Sequence, residues 1–445
     1  MVFHNQNDTI SAIATPFGTA GVGVVRLSGN KAFEIVEKIF SNKNLVPNQI
    51  THGWIKDGET LIDEVIVLPF KAPKSYTGED VVEIQCHGGV QIVREILNLT
   101  IKNGARLAER GEYTKRAFLN GKMDLSQAEA VLDLIHAKTE KFAVKSANNL
   151  SGKLSIEIEK IRKHIFDLLS KIIAAIDFPE DVKEPEYSDI EVEIKKILSE
   201  IDNILSVSKS SNVLRQGIKL VIAGKPNVGK SSLFNRLLNL DRAIVTDIAG
   251  TTRDVLQETL NLDGIPLTIS DTAGIRNDEN IDKVEAIGID CSKNYIEEAN
   301  IVLFLYDLTQ GFKDEDKDIY QLIKNKPHIQ IGTKADLTDK RDDRAICISA
   351  VSGENIEKLK EKIKELVLGE NSLESEFVTN ERQQKCLENA KKSLLQALET
   401  TISRDLQDLI SIDIKAALLS VGEISGEVIT DDILNNIFDN FCIGK

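Results

Sequence analysis

The run Gly224-Lys225-Pro226-Asn227-Val228-Gly229-Lys230-Ser231 follows an apolar stretch, Leu220 to Ala223, and leads into a helix-forming one, Ser232 to Leu238. It matches G-x-x-x-x-G-K-[ST] in the strand-to-helix context that this motif requires. A strand, a glycine-rich turn and a helix in that order belong to a mostly parallel α/β sheet. The surrounding sequence agrees: from Ile218 to about Leu368, apolar runs (Leu220 to Ala223, Ile265 to Ile269, Ile301 to Tyr306, His328 to Ile331, Ala345 to Ile348) alternate with helical segments.

On both sides the period changes. Ile158, Ile161, Ile165, Leu168, Leu169, Ile172, Ile173 and Ile176 recur at helical spacing, as do Ile194, Ile197, Leu198, Ile201, Ile204 and Leu205. A break at Phe178-Pro179 and the acidic run to Pro185 separates the two. After a polar linker, helical periodicity returns through Leu406, Ile410, Ala417 and Leu418. A helical region interrupted and then resumed predicts an insertion, with helices from 122–213 and 376–445 packing as one discontinuous domain. Upstream, short β-type runs (Val22 to Leu27, Val65 to Leu68, Val81 to Ile84) with one or two helical stretches predict an α+β domain. The boundaries expected are 1–121, 122–213, 214–372 and 373–445.

Length supports this count, since 445 residues suggest about three domains. With 42% hydrophobic and 28% charged residues the chain has ample core, which excludes a disordered or fibrous protein. Lys plus Arg number 55 and Asp plus Glu 70, a net charge of −15, which argues against a protein that coats nucleic acid or anionic membrane. Residues 1–120 carry 13 basic and 13 acidic side chains, so the acidity lies downstream. Cys86, Cys291, Cys347, Cys386 and Cys442 are scattered, without C-x-x-C pairs or histidines at ligand spacing. With no leader pattern and no long apolar span, a cytoplasmic protein without a membrane anchor is expected.

In the glycine-rich loop, backbone N–H groups can turn inward around phosphate oxygens, Lys230 can reach the terminal phosphates and the Ser231 hydroxyl can complete magnesium coordination. Asn227, Val228, Gly229, Lys230, Ser231 and Ser232 are therefore nucleotide-binding candidates. Asp271-Thr272-Ala273-Gly274 ends a later strand, where an aspartate can hold magnesium through water and Gly274 can meet the γ-phosphate. Thr333-Lys334-Ala335-Asp336 ends another: Asp336 is spaced to accept two hydrogen bonds from guanine, Lys334 to lie along the base, and Ala350 of Ser349-Ala350 to meet its carbonyl oxygen. These loops turn a phosphate site into a GTP site, and a Ras-like P-loop GTPase domain follows as the inserted unit. GTPases usually carry Asn where this chain has Thr333, and the lost amide is expected to weaken support of the loop. Thr246-Asp247-Ile248-Ala249-Gly250-Thr251-Thr252 forms the expected switch, in which a threonine coordinates magnesium only when γ-phosphate is present.

Ras-type enzymes orient the attacking water with a glutamine soon after D-x-x-G. Here Ile275 follows Gly274 and cannot do so. Asn227 could instead supply an oxygen to a monovalent cation that, with carbonyls of the switch, neutralises charge between the phosphates. Among the downstream acids, the residues alone do not separate Asp278, Glu279, Asp282 and Glu285.

Together with Asp8 to Pro16, Gly23 to Gly29, Ser75 to Asp80 running to Gly89, Gly111 to Leu125 and the terminal Phe441-Cys442-Ile443-Gly444-Lys445, this arrangement resembles the bacterial MnmE (TrmE) family of tRNA-modifying GTPases over nearly the whole chain. The resemblance implies modification of the wobble uridine of certain tRNAs at carbon 5. It further implies a flavin-carrying partner, MnmG, to which FAD belongs, and a one-carbon unit from a tetrahydrofolate derivative. It implies a homodimer through the amino-terminal domain and potassium-dependent pairing of the GTPase domains. Carried onto this sequence, it puts Asn227, Thr246, Ile248 and Thr251 on potassium, Ser231 and Thr252 on magnesium, and Glu285 behind the attacking water. Folate contacts fall at Arg26, Glu83, Lys122 and Lys445, and a reactive thiol at Cys442. Carboxylates suit pterin N–H groups and cations suit a polyanionic glutamyl tail.

The helix before Cys442 reads clearly, with Thr430 as N-cap, Asp431 and Asp432 in its first turn and Ile433, Leu434, Ile437 and Phe438 on one face, which predicts that docking carries Cys442 inward. Gly18, Gly21 and Gly23 are wrongly spaced for a dinucleotide loop, and His87 beside Cys86 reads as a strand-end pair. Two other classes compete: a ribosome-assembly GTPase, disfavoured because no basic RNA-binding appendage is present, and a regulatory switch without chemistry of its own.

Overall fold

The computed structural model describes residues 8–240, 257–271, 296–368 and 375–445. The chain divides into two compact units, one of Met1–Leu132, Leu150–Arg162 and Leu418–Lys445, the other of Asp133–Asn149 and Lys163–Ala417.

The first unit is built on a six-stranded sheet of order β3-β4-β5-β2-β1-β6, comprising β1 (Ile10–Ile13), β2 (Ala20–Ser28), β3 (Thr51–Asp57), β4 (Thr60–Phe70), β5 (Val81–Gly88) and β6 (Arg106–Leu107). All pairings are antiparallel except β1 with β6. One face packs under α1 (Ala32–Ile39) and α2 (Val90–Lys102), burying Val25, Leu27, Ile35, Val36, Ile84 and Ile96. Strand period then sends the alternate residues to the opposite face, where Arg26 lies directly across from Glu83. Helices α3 (Glu112–Leu119) and α4 (Leu125–Ile135) follow, and Leu125, Ala128 and Val131 join Leu434, Phe438 and Phe441 of the carboxyl-terminal segment in one cluster. That segment's helix, Asp431–Asp439, has Thr430 at the N-cap position, but the hydroxyl makes no capping bond.

In the second unit, α5 (Glu140–Leu150), the later part of α6 (Lys153–Asp177) and α7 (Tyr187–Gln216) precede a second six-stranded sheet, and α11 (Glu381–Ile402) and the earlier part of α12 (Gln407–Ser425) follow it. The expected apolar stripes are buried at Ile165, Leu168, Leu169, Ile172, Ile194, Ile197 and Ile201, whereas Ile173, Ile176 and Leu406 are exposed. Ile173 and Ile176 lie beside the buried stripe that Leu168, Ile172 and Ala175 carry to the last turns of α6, and Leu406 precedes α12 rather than lying on it. The chain downstream of the sheet returns onto helices upstream of it. Asn149 Nδ2 donates to the Val378 carbonyl (2.7 Å), the Ser208 and Thr379 hydroxyls meet at 3.0 Å, and Tyr187 OH donates to the Asp405 carbonyl (2.8 Å).

The second sheet has the order β12-β11-β10-β7-β9-β8, from β7 (Ile218–Gly224), β8 (Gln257–Leu262), β9 (Ile265–Asp271), β10 (Ile301–Asp307), β11 (His328–Thr333) and β12 (Ile346–Cys347). Only β8 with β9 is antiparallel. Every residue of β10 is buried, as a central strand covered on both faces requires. Helix α8 (Lys230–Leu240) follows the glycine-rich turn, and α9 (Asp314–Ile323) and α10 (Ile356–Leu368) complete the α/β alternation.

Lys145 on α5 donates to the carbonyl (2.6 Å) and hydroxyl (3.2 Å) of Ser375, fastening the segment downstream of the sheet. Burial, with Lys141 adding repulsion, pushes its ammonium down from 10.5 to about 8. An unfolded lysine holds its proton to about 10.4, so between those values the unfolded chain binds more protons and stability rises with pH. The thermal midpoint of the wild type should therefore gain on that of Lys145→Met as pH is raised from about 7.5 to about 9.5. Parallel curves for the two proteins would contradict this.

Candidate functional site

Parallel pairing brings the ends of β7, β10 and β11 to one edge, with Leu305 opposite Gly224 and Asp307 opposite Thr333. The turn after β7 leaves by way of Gly224 at φ +152, where a Cβ would lie 2.4 Å from the Leu305 carbonyl oxygen. Only glycine fits there. Asn227 takes the left-handed region at φ 62, which asparagine tolerates, and its side chain is exposed. Val228 is buried in the core below, pinning the loop from inside. Lys230 Nζ is held over the loop by the carbonyls of Gly224 and Lys225, both at 2.8 Å. Ser231 and Ser232 are exposed in the first turn of α8, where unpaired N–H groups and the helix dipole favour an anion.

Thr333 corrects one expectation. Its hydroxyl, buried at the end of β11, stands 2.6 Å from the Val228 carbonyl oxygen and 3.1 Å from that of Tyr306. Support of the phosphate loop is therefore kept by an O–H donor. Next to it, Lys334 is left-handed (φ 60) and pairs with Asp307 at 2.6 Å. Burial opposes ionisation of Asp307, but that ion pair and the bonds from Thr309 outweigh it and hold the carboxyl below the usual carboxylate range. Asp336 is exposed in the short 3-10 turn Ala335–Leu337, with its carboxylate open to a ligand edge. Ser349 is buried and Ala350 half-buried; the Ala335 N–H bonded to the Ile348 carbonyl (3.0 Å) locks this loop to the previous one. Lys225 pairs with the buried Asp316 of α9 at 2.9 Å, a tether not foreseen from the sequence; the acidic first turn Asp314-Glu315-Asp316 was its only trace.

Thr246, Asp247, Ile248, Ala249, Gly250, Thr251, Thr252, Thr272, Ala273, Gly274, Asp278, Glu279, Asp282 and Glu285 lie outside the described residues, and Asp271 closes β9. Among the described residues, no cluster of His, Cys, Asp or Glu could hold a metal, and no helix is long and apolar enough to cross a membrane. His87, near the end of β5, bonds Asp63 of β4 at 2.7 Å.

The first unit holds a second constellation. Arg26 Nε is 2.7 Å from Glu83 Oε1, and the guanidinium lies between the rings of Tyr76 (5.5 Å) and Tyr113 (5.7 Å). Arg26 Nη1 also donates to the Gly444 carbonyl (3.2 Å), and the Tyr113 N–H to the main-chain oxygen of Lys445 (3.2 Å). Burial, then the adjacent Arg26, lowers the Lys445 ammonium pKa. Three of the four folate candidates are thus gathered, while Lys122 is exposed and donates to the Pro73 carbonyl (3.1 Å). Arg116 joins Asp8, Glu79 and Glu112 in a largely buried ionic group, whose members fall in the runs Asp8 to Pro16, Ser75 to Asp80 and Gly111 to Leu125 but whose pairing those runs did not reveal. Removing one partner of such a group costs about 3–5 kcal/mol, because the others are left desolvated.

Cys442 is exposed, which overturns the inward expectation. Phe438 and Phe441 occupy the buried positions, and the next residue turns outward.

A glycine-rich phosphate loop on a mostly parallel sheet, with the Thr333 and Ser349 loops at the same edge, an α+β amino-terminal region and flanking helices, defines a multidomain P-loop GTPase. The family models agree: that for the MnmE helical domain matches residues 125–442 and that for the GTP-binding protein TrmE N-terminus residues 9–122. The tRNA modification GTPase MnmE of Thermoanaerobacter pseudethanolicus is 44% identical over 459 residues, covering 98% of this chain and 99% of that protein. Its counterpart from Thermotoga petrophila is 42% identical over 452 residues, covering 98% and 100%. A crystal structure of Aquifex aeolicus Era, 28% identical, covers 40% of this chain and 67% of its own, with a TM-score of 0.29. The chain belongs to the MnmE family of tRNA modification GTPases.

Gly444 sits at φ +95, and a Cβ there would lie 2.4 Å from the Ile13 carbonyl oxygen. Gly444→Ala should therefore unseat the terminal segment and speed hydrogen exchange at the Gly111 and Tyr113 amides, which donate to Cys442 and Lys445. Unchanged exchange at both amides would show that the segment is not held there.

Proposed function

We propose that this chain is a potassium-dependent GTPase that acts with a flavin-carrying partner, MnmG, to modify the wobble uridine of certain tRNAs at carbon 5 in the cytoplasm. The observation that carries the reading is one chain holding both a guanine-type P-loop edge and the Arg26–Glu83–Lys445 constellation, with family similarity from end to end.

In this reading, Lys230 and the N–H groups around Val228, Gly229, Ser231 and Ser232 bind and orient the phosphates, while Asp336, Lys334 and Ala350 read the base. The exposed Ser231 hydroxyl at the first turn of α8 suits magnesium, with Thr252 as second ligand; the exposed Asn227 oxygen suits potassium, with Thr246, Ile248 and Thr251. Bound cations supply charge neutralisation across the phosphates. Asp271 and Gly274 serve the magnesium water and γ-phosphate, and Glu285 holds the attacking water. No arginine finger is needed.

The amino-terminal group fits a tetrahydrofolate derivative by its chemistry: two cations, Arg26 and Lys445, face one carboxylate, Glu83, so the site favours an anionic tail while retaining an acceptor for pterin N–H groups. Lys122 and Cys442 extend this assignment, Cys442 as an accessible thiol. Exposed Val22, Trp54 and Ile66 on the Arg26 face of the sheet support self-association through residues 1–121. We assign 122–213 and 373–445 to one helical domain and 214–372 to the GTPase domain inserted in it.

GTP turnover should be faster in potassium than in sodium, and Asn227→Ala should lose that stimulation while still binding GTP. Equal turnover in both cations, or normal stimulation in the variant, would sink the cation assignment. Cells lacking the gene should lose carbon-5 modification of wobble uridines, measured by nucleoside mass spectrometry. Intact modification would favour a ribosome-assembly or regulatory GTPase instead.

A further inference from the structure

We propose that Thr333 fastens the phosphate loop and does not read the base, so that this site recognises guanine without a side-chain donor from the end of β11 to the purine's imidazole edge. The inference rests on the guanine-nucleotide reading above and concerns how selectivity is divided within that site.

Donor supply separates the two side chains. An asparagine amide carries two N–H hydrogens and could serve a protein carbonyl and a ligand at once; a threonine hydroxyl carries one. Here that hydrogen has two protein acceptors, the Val228 carbonyl at 2.6 Å and the Tyr306 carbonyl at 3.1 Å. Thr333 is only 5% exposed, so its hydroxyl is enclosed with those acceptors. Leaving either partner for a ligand would strand a buried group, which costs more than one new bond returns.

Position supplies the second half. Thr333 stands between the phosphate loop and Asp336: its Cβ lies 3.8 Å from where a Cβ on Gly229 would be, and Asp336 follows three residues later. A guanine whose N–H edge meets Asp336 has its sugar, and hence its phosphates, attached to the five-membered ring. That ring, with its N7 acceptor, must lie on the phosphate-loop side, beside residue 333. The adjacent Lys334 ammonium is held by Asp307 at 2.6 Å and so is also engaged within the protein. Selectivity for guanine therefore falls on Asp336 and the Ala350 backbone, and the hydroxyl at 333 contributes to affinity by holding the Val228 carbonyl and the loop below the phosphates.

Dissociation constants of the full chain for GDP, 7-deaza-GDP (which lacks the N7 acceptor) and IDP (which lacks the amino group read by Asp336) test this. The wild type should bind GDP and 7-deaza-GDP within about twofold of one another, and IDP at least about tenfold more weakly. Thr333→Asn should introduce a preference for GDP over 7-deaza-GDP of about fivefold or more. Thr333→Val, keeping shape but losing the hydroxyl, should weaken both by the same factor. A wild-type preference for GDP over 7-deaza-GDP of about tenfold would overturn the proposal, and needs no variant to fold. So would a Thr333→Val change confined to GDP. If no guanine nucleotide binds the wild type, it is the GTP reading itself that fails.

Discussion

The parallel pairing of β7, β10 and β11 is the constraint on which the nucleotide site depends. Each strand runs the same way, so each ends at the same edge, and the register sets Gly224 against Leu305 and Thr333 against Asp307. The loops that leave these ends have no choice but to converge. Three side-chain contacts then fix their relative heights: Thr333 to Val228, Lys334 to Asp307, and Lys225 to Asp316. Each contributes on the order of 1 kcal/mol or less by itself. Their value is geometric, because phosphate binding requires N–H groups that are already aimed when the ligand arrives.

The amino-terminal unit uses a different device. Antiparallel register puts Arg26 opposite Glu83 on the face away from α1 and α2, and two tyrosine rings restrict the guanidinium's remaining freedom. Burying that arginine is tolerable because Glu83 is already its partner. Arg116 repeats the pattern on a larger scale, with Asp8, Glu79 and Glu112 sharing one guanidinium. Charge balance within residues 1–120 is thus local pairing as well as arithmetic.

Much of this was legible in the sequence because period and turn chemistry are local. Apolar runs located both sheets, glycines located the phosphate loop, and the helical stripes from Ile158 and Ile194 onward located the long helices. What stayed hidden depended on partners distant in sequence. Thr333 read as a loss because the Val228 carbonyl, 105 positions away, could not be known to lie within reach. Cys442 read as inward because helical spacing specifies a face but not where the face ends; Phe441 takes the last buried hydrophobic place. The pairing of Lys225 with Asp316 and of Arg116 with Asp8, Glu79 and Glu112 stayed unread, since charged residues look alike whether solvated or paired.

The first unit draws on both early and late parts of the chain. Leu125, Ala128 and Val131 close their core against Leu434, Phe438 and Phe441, and Arg26 completes its bonds with the Gly444 carbonyl. During synthesis the strands of this unit and the core they form with α1 and α2 emerge first, yet the Leu125 cluster stays open until Leu434, Phe438 and Phe441 have left the ribosome. Through that whole interval the second sheet can form while the Leu125 cluster is still incomplete. A segment that emerges late is thus the one that brings Arg26 its bond to the Gly444 carbonyl.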